Sequence, residues 1–185
     1  MNETEAKVIE AAIRTFVRYG AKKTSMADIA SAAGVSRQTL YDLFGNKDEI
    51  IVNSIRHVTR TSLATVQSRW KDTSQLSDKL DVYFEETIIK SFELLQSSGD
   101  PEDLISGHNQ AGKTAIAEAH KQHEALIAGI LMPYASQIAE KGKTVEQFTH
   151  FFVTTAMGFK AGATSRADLD GLIESLKIAI SALIG

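Results

Sequence analysis

Residues 24–47 read TSMADIASAAGVSRQTLYDLFGNK, and the rest of the chain is best understood outward from this run. Thr24 or Ser25 caps a first helix, with Asp28 three residues after Ser25 where a capping box places Glu or Gln. Met26, Ile29, Ala30 and Ala33 then recur at helical spacing. Gly34 follows, at a position where a helix end often needs positive φ. Val35 packs back, and Ser36 caps a second helix that carries Leu40 and Phe44 inward. Two short helices around a tight turn with Gly make a helix-turn-helix, whose second helix enters the major groove of DNA.

On either side of this pair almost every segment reads as helix. A helix over about 4–19 puts Ile9, Ala12, Ile13, Phe16 and Val17 on one face and ends at Gly20. Asn46 or Lys47 opens a long fourth helix with Asp48 and Glu49 in its first turn, where the dipole favours acids. A polar stretch, 71–78, separates it from a fifth helix that stops near SSGD. Asp100-Pro101-Glu102-Asp103 starts a short sixth. Pro133 kinks or splits a seventh over about 111–139. Thr144 with Gln147 caps an eighth, and Ser165 with Asp168 starts a ninth. The expected fold is therefore all-α with about nine helices: a three-helix DNA-binding head over 1–47 and a helical ligand-binding and dimerisation domain over 48–185.

Composition narrows the chemistry. The 185 residues suffice for a sizeable core. Without Cys there are no disulfides, thiolate metal sites or Cys nucleophiles. No apolar run reaches the roughly 18 residues of a membrane span, and the polar MNETEAKVIE start argues against a signal peptide, so a cytoplasmic protein is expected. The net charge of −3 divides unevenly, +2 over 1–47 and −5 over the remainder. Local placement of charge matters more to phosphate affinity than the total.

Thr24-Ser25-Met26, Asp28-Ile29-Ala30, Ala33-Gly34-Val35-Ser36, Thr39-Leu40-Tyr41, Phe44 and Lys47 resemble the tetracycline-repressor (TetR) family of bacterial transcriptional regulators. Ala12, Phe16 and Gly20 fit the same pattern, and beyond residue 50 only length and helix pattern agree. The resemblance implies a homodimer with one helix-turn-helix per subunit on a palindromic operator. It implies repression more often than activation, relieved by a small-molecule effector. No cofactor is expected.

Within the reader, Ser36 begins the recognition helix, where a hydroxyl or N–H can meet a phosphate. Arg37 suits guanine and Gln38 adenine, at about 1–3 kcal/mol of discrimination each. Thr39 offers a methyl to thymine or a hydroxyl to phosphate, and Tyr41 a hydroxyl to the backbone. Thr24, Ser25 and Lys47 are candidate phosphate contacts. Asp42 departs from the family pattern; it repels phosphate unless it accepts from a cytosine amine or orients Arg37 or Lys47.

In the remainder, candidate pocket residues are His57, Leu63, Gln67, Trp70, Tyr83 and Phe84, followed by Ile88, Phe92, His108, Asn109, His123 and Phe152. Most would be core or surface in any helical bundle. His120 and His123 have a spacing that can face one ion, but lack an evident third ligand, so no metal is expected. Phe148, Phe152, Thr155 and Phe159 of helix eight, with Leu169, Leu172, Ile173 and Leu176 of helix nine, form the expected dimer stripe. The small residues around Gly158 and Gly162 let helices approach closely, and two helices per subunit give a four-helix interface about a twofold axis.

The leading reading is a ligand-responsive dimeric repressor. The alternative is an adaptor on the same fold, regulated by a protein partner. No G-x-S-x-G, phosphate-cradling loop or partnered His supports an enzyme.

Overall fold

The computed structural model describes Asn2 to Ile184; the outermost residues of the two expected domains, Met1 and Gly185, lie outside it. It is all-α. The elements are α1 (Glu3–Tyr19), α2 (Met26–Ala33), α3 (Arg37–Phe44), α4 (Lys47–Trp70), α5 (Leu76–Phe84), α6 (Lys90–Gln96), α7 (Pro101–Ile105), α8 (Gln110–Leu131), α9 (Ala135–Glu140), α10 (Val145–Gly162) and α11 (Arg166–Ile184). A π-turn, Glu85–Ile89, joins α5 to α6, and a 3₁₀ turn, Met132–Tyr134, joins α8 to α9. Taking each joined pair as one helix gives nine among the described residues. The second joint is the break expected at Pro133, which lacks the N–H that an α-helix needs there.

Caps set the helix boundaries. Asn2 and Glu5 bond reciprocally at 2.8 Å to start α1. Ser25 and Asp28 do the same for α2, and Thr144 and Gln147 for α10. Asn46 resolves the start of α4: its Oδ1 accepts the Glu49 N–H at 3.0 Å. Gly34 ends α2 in the left-handed region at φ 65°, ψ 36°. There the Gly34 N–H reaches the Ser31 carbonyl and the Val35 N–H the Ala30 carbonyl, closing a Schellman motif.

The chain folds as two compact units. One runs to Thr61 and takes in Glu93–Ala119, so the expected boundary at 47 falls inside it. Its core gathers Val8, Ile9 and Phe16 of α1, Ile29 and Ala30 of α2, Leu40 of α3 and Ile50 and Ile51 of α4. Burying each large member contributes about 1.5–3 kcal/mol. The distant segment is tied in by hydrogen bonds that sequence spacing cannot announce. The Asp103 carboxylate accepts the Lys22 N–H at 2.7 Å, and the Gly99 N–H donates to the Val17 carbonyl at 3.1 Å. Burial pushes the Asp103 carboxyl up, but hydrogen bonds from His108 and the backbone of Lys22 outweigh it and hold the carboxyl below its usual range. A Cβ at Gly112 would sit 1.8 Å from the Gly107 carbonyl oxygen, so only glycine fits where α8 begins.

The other unit is Ser62–Phe92 together with the chain from His120 onward. Its core contains Val66, Tyr83, Phe84, Ile88, Phe92, Ile127, Leu131, Phe152, Leu169 and Ile180. No described helix is long and apolar enough to cross a membrane.

Candidate nucleic-acid interface

Leu40 is fully buried and fixes the roll of α3 against the first core. Its neighbours Arg37 and Gln38 are thereby exposed, and so is Tyr41, at 48%. These three project from the first turns of an eight-residue helix, where major-groove readers carry their base contacts. Ser36 caps the helix: its Oγ accepts the Thr39 N–H at 3.0 Å and lies 2.8 Å from the Thr39 hydroxyl. The two hydroxyls hold each other, and the exposed Ser36 stays beside the free N–H groups of the helix start.

Asp42 acquires a role that the sequence left open. Its Oδ1 accepts from the Gln38 amide at 2.7 Å, one helical turn away. It orients Gln38, not Arg37 or Lys47. That bond fixes the amide on the reading edge and neutralises none of the charge on Arg37. Asp28 on α2 lies near enough to Arg37 to interact with it, but its low carboxyl pKa comes first from the Ser25 hydroxyl and N–H. Ser25 is exposed, with its hydroxyl donating to Asp28 at 2.6 Å.

Two of the expected phosphate contacts are engaged within the protein. Thr24 is buried, its hydroxyl donates to the Gly20 carbonyl at 2.7 Å and its N–H to Ala21. Lys47 is half-buried, and its ammonium donates to the carbonyls of Ala21 (2.9 Å) and Thr24 (3.1 Å). Both residues tie the start of α4 to the α1–α2 turn. Carbonyls left over at a turn are strong acceptors, and a cation with three donors satisfies two of them at once. A basic side that the sequence reading passed over borders a cleft of about 810 Å³, lined by Arg14 and Arg18 of α1 and by Lys23. The spacing 14/18 was the available signal.

The expected pocket residues are divided between the two units. His57 belongs to the first unit, as do His108 and Asn109. His108 pairs with Asp103 at 2.8 Å, and Asn109 accepts the Gly112 N–H at 2.9 Å to cap α8. In the second unit Gln67 is exposed, and Trp70 is half-buried with its indole N–H on the Lys79 carbonyl. Leu63, Tyr83, Phe84, Ile88, Phe92, His123 and Phe152 are buried. Tyr83 packs edge-on to Phe84 and His123, and its hydroxyl lies 3.0 Å from His123 Nδ1. Burial, with Lys160 and His120 nearby, pushes the His123 imidazole down to about 3, so it is neutral at pH 7. Burial pushes Lys160 down to about 8. His120 is half-buried on the same helix, where burial and Lys160 push its pKa down.

The residues of the expected dimer stripe divide between the core of their own unit and its half-buried margin. Phe148, Phe152, Leu169, Ile173 and Leu176 are consumed by the core of their own unit, and Thr155, Phe159 and Leu172 are half-buried. The apolar groups that do face outward on these helices are Phe151 (52% exposed) and Ile178 (62%). Gly158, Gly162 and Gly171 have open space before them.

The comparisons place these features among known proteins. The family described as "Bacterial regulatory proteins, tetR family" matches residues 8–53, which contain α2 and α3 whole. The HTH-type transcriptional regulator TtgR of Pseudomonas putida is 49% identical over 49 residues, 26% of this chain and 23% of that protein. Matches to the first curated relatives span less than half of their length. Among solved structures, a TetR transcriptional regulator from Legionella pneumophila superposes with a TM-score of 0.72 at 14% identity, over 97% of this chain and 98% of that one. A transcriptional regulator from Saccharomonospora viridis in complex with choline gives 0.68 at 16% identity, over 98% and 97%. At such identities the likeness establishes the fold.

Proposed function

We propose that this chain, which belongs to the TetR family of transcriptional regulators, binds a twofold-symmetric operator as a homodimer and is released from it by a small-molecule effector. The observation that carries this reading is the exposed edge of α3: Arg37, Gln38 and Tyr41 side by side, with Leu40 locked beneath them and Asp42 holding Gln38. Arg37 and Gln38 read base edges; Ser25, Ser36, Thr39 and Tyr41 meet phosphates. The domain division follows the two units, with DNA reading in the first and effector binding and dimerisation in the second. Phe151 and Ile178, flanked by Gly158, Gly162 and Gly171, are the dimer face. A twofold dimer then presents two heads to half-sites roughly 34–36 Å apart, or a multiple of that. The regulator from Saccharomonospora viridis was solved with choline, which supports a small-molecule effector as the class of signal. The packed region around Tyr83 and His123 is where that effector enters. Since α4 runs through Thr61 and Ser62 from one unit into the other, it is the lever that changes head spacing.

The test is selection of bound DNA from a random pool by the full chain and by an Arg37→Ala, Tyr41→Ala variant, at two salt concentrations. A palindrome enriched by the full chain and lost by the variant, with affinity falling steeply in salt, is expected. Enrichment of the same sequence by both proteins overturns the assignment of the reading edge.

A further inference from the structure

A second cleft, of about 320 Å³, opens in the first unit and is lined by none of the reading side chains. Leu43 and Phe44, from the end of α3, give it an apolar wall. Asn53, Arg56, His57 and Arg60 share one face of α4, at spacings of three and four residues, and Glu5 of α1 closes the rim. The volume is at the small end of ligand sites, which run from about 300 to 1,000 Å³ and combine apolar walls with a few polar groups.

The polar groups of this cleft are only partly used. Arg56 gives Nε and Nη2 to Glu118, at 3.3 and 2.9 Å, which leaves Nη1. Arg60 is exposed and makes no hydrogen bond or ion pair among the described residues. Asn53 donates its amide to the Glu49 carbonyl and keeps its oxygen free. Glu5 is occupied in capping α1 through Asn2. His57 Nδ1 is buried and has no hydrogen-bond partner. Arg56 is paired with Glu118, so Arg60 is the cation of this cleft that no carboxylate partners among the described residues, and it favours an anion. Leu43 and Phe44 select an anion with an apolar body over inorganic phosphate.

We propose that this cleft binds a small organic carboxylate, an aromatic or short-chain acid. Its carboxylate lies on Arg60 and the free edge of Arg56, and its apolar body lies against Leu43, Phe44 and the His57 side chain. The acid touches the end of the reading helix and the face of α4 together, so its occupancy and the orientation of α3 are reciprocally linked. This site is separate from the effector entry placed in the second unit, and its existence does not depend on that reading.

Titration calorimetry of the full chain with 4-hydroxybenzoate, and with the uncharged 4-hydroxybenzamide, tests it. Saturable binding of the acid is expected, with the amide at least about tenfold weaker. Arg60→Gln weakens the acid by about tenfold or more, whereas Tyr83→Phe in the second unit leaves it within about twofold. His57→Phe fills the cleft and abolishes binding, and thermal melts verify that each variant folds. No heat at millimolar acid, equal affinity for acid and amide, or binding that survives Arg60→Gln overturns the proposal. Loss of binding in Tyr83→Phe but not in Arg60→Gln would assign the acid to the second unit and equally overturn it.

Discussion

The reading face of α2 and α3 bonds its polar groups locally, whereas the second unit also joins residues far apart in the chain. In the head, Ser25 bonds Asp28, Ser36 bonds Thr39 and Gln38 bonds Asp42, each three or four residues apart and each exposed. In the second unit Arg69 reaches Glu86 across 17 positions, His150 reaches Glu124 across 26 and Tyr83 reaches His123 across 40. Glu86 illustrates the second style. The π-turn holds it in a buried position, and burial pushes its carboxyl up, yet hydrogen bonds from Lys90 and Arg69 leave it below its usual range. Local bonds set helix ends and present side chains to solvent. Long-range bonds at low dielectric couple stability to protonation. A head of the first kind is suited to hold a fixed reading edge, and a unit of the second kind to respond to what enters it.

The largest expected effect lies on the outward face of the second unit. Ile178→Asp together with Phe151→Asp should convert a dimer to monomers in sedimentation and weaken operator binding by a factor of about 100 or more, since one head alone makes half the contacts. The isolated subunit should melt unchanged, because neither residue belongs to the core. Melting that falls with dissociation would remove the distinction between core and interface drawn here.

A second effect, on stability and not on binding, marks the second unit by its pH dependence. His123 takes a proton near pH 6.5 in the unfolded chain and near 3 in the folded protein. Between those values the unfolded state binds more protons. The second unit's stability is therefore complete above about pH 6.5 and declines as the pH falls toward 3, by about 3–5 kcal/mol at most. Melting from pH 7 to 4 should show this decline, and His123→Gln should flatten it. A profile identical in both proteins would mean that other groups carry the acid sensitivity.

Next in size is the turn within the head. Gly34→Ala forces a Cβ into the left-handed region, at a cost of about 1–2 kcal/mol. The nearest foreign atom to that Cβ is the Lys7 ammonium nitrogen at 3.7 Å, so backbone strain alone is at work. Denaturant unfolding should lose about that amount and Gly34→Asn distinctly less, because Asn tolerates this conformation. The smallest effect is Ser25→Ala, worth about 1 kcal/mol as a lost N-cap. If Ser25 also meets phosphate, operator affinity falls while most of the stability remains.

The sequence was legible where one residue's role follows from neighbours three or four positions away. Met26, Ile29, Ala30 and Ala33 with Ser25, Asp28 and Gly34 gave α2 and its turn, and Leu40 gave the roll of α3 and hence the exposure of Arg37 and Tyr41. Thr24 and Lys47 were ambiguous because both residue types suit phosphate as well as they suit a turn carbonyl. Their choice depends on where the α1–α2 turn lies beneath α4. His108 and Asn109 looked like pocket residues for the same reason. What binds them is Asp103 and the start of α8, which helical period does not reveal.

The sequence by itself determined that the chain is a set of amphipathic helices headed by a helix-turn-helix, because caps, glycine conformation and apolar period act over one turn. Only the tertiary structure decided which apolar stripe of α10 and α11 is core and which faces outward. It also decided that Glu93–Ala119 folds with the head, that Tyr83 meets His123, and that His57 is left without a partner beside Arg60. Those outcomes depend on which surfaces exclude water from one another, a property of the packed chain that no local run of residues carries.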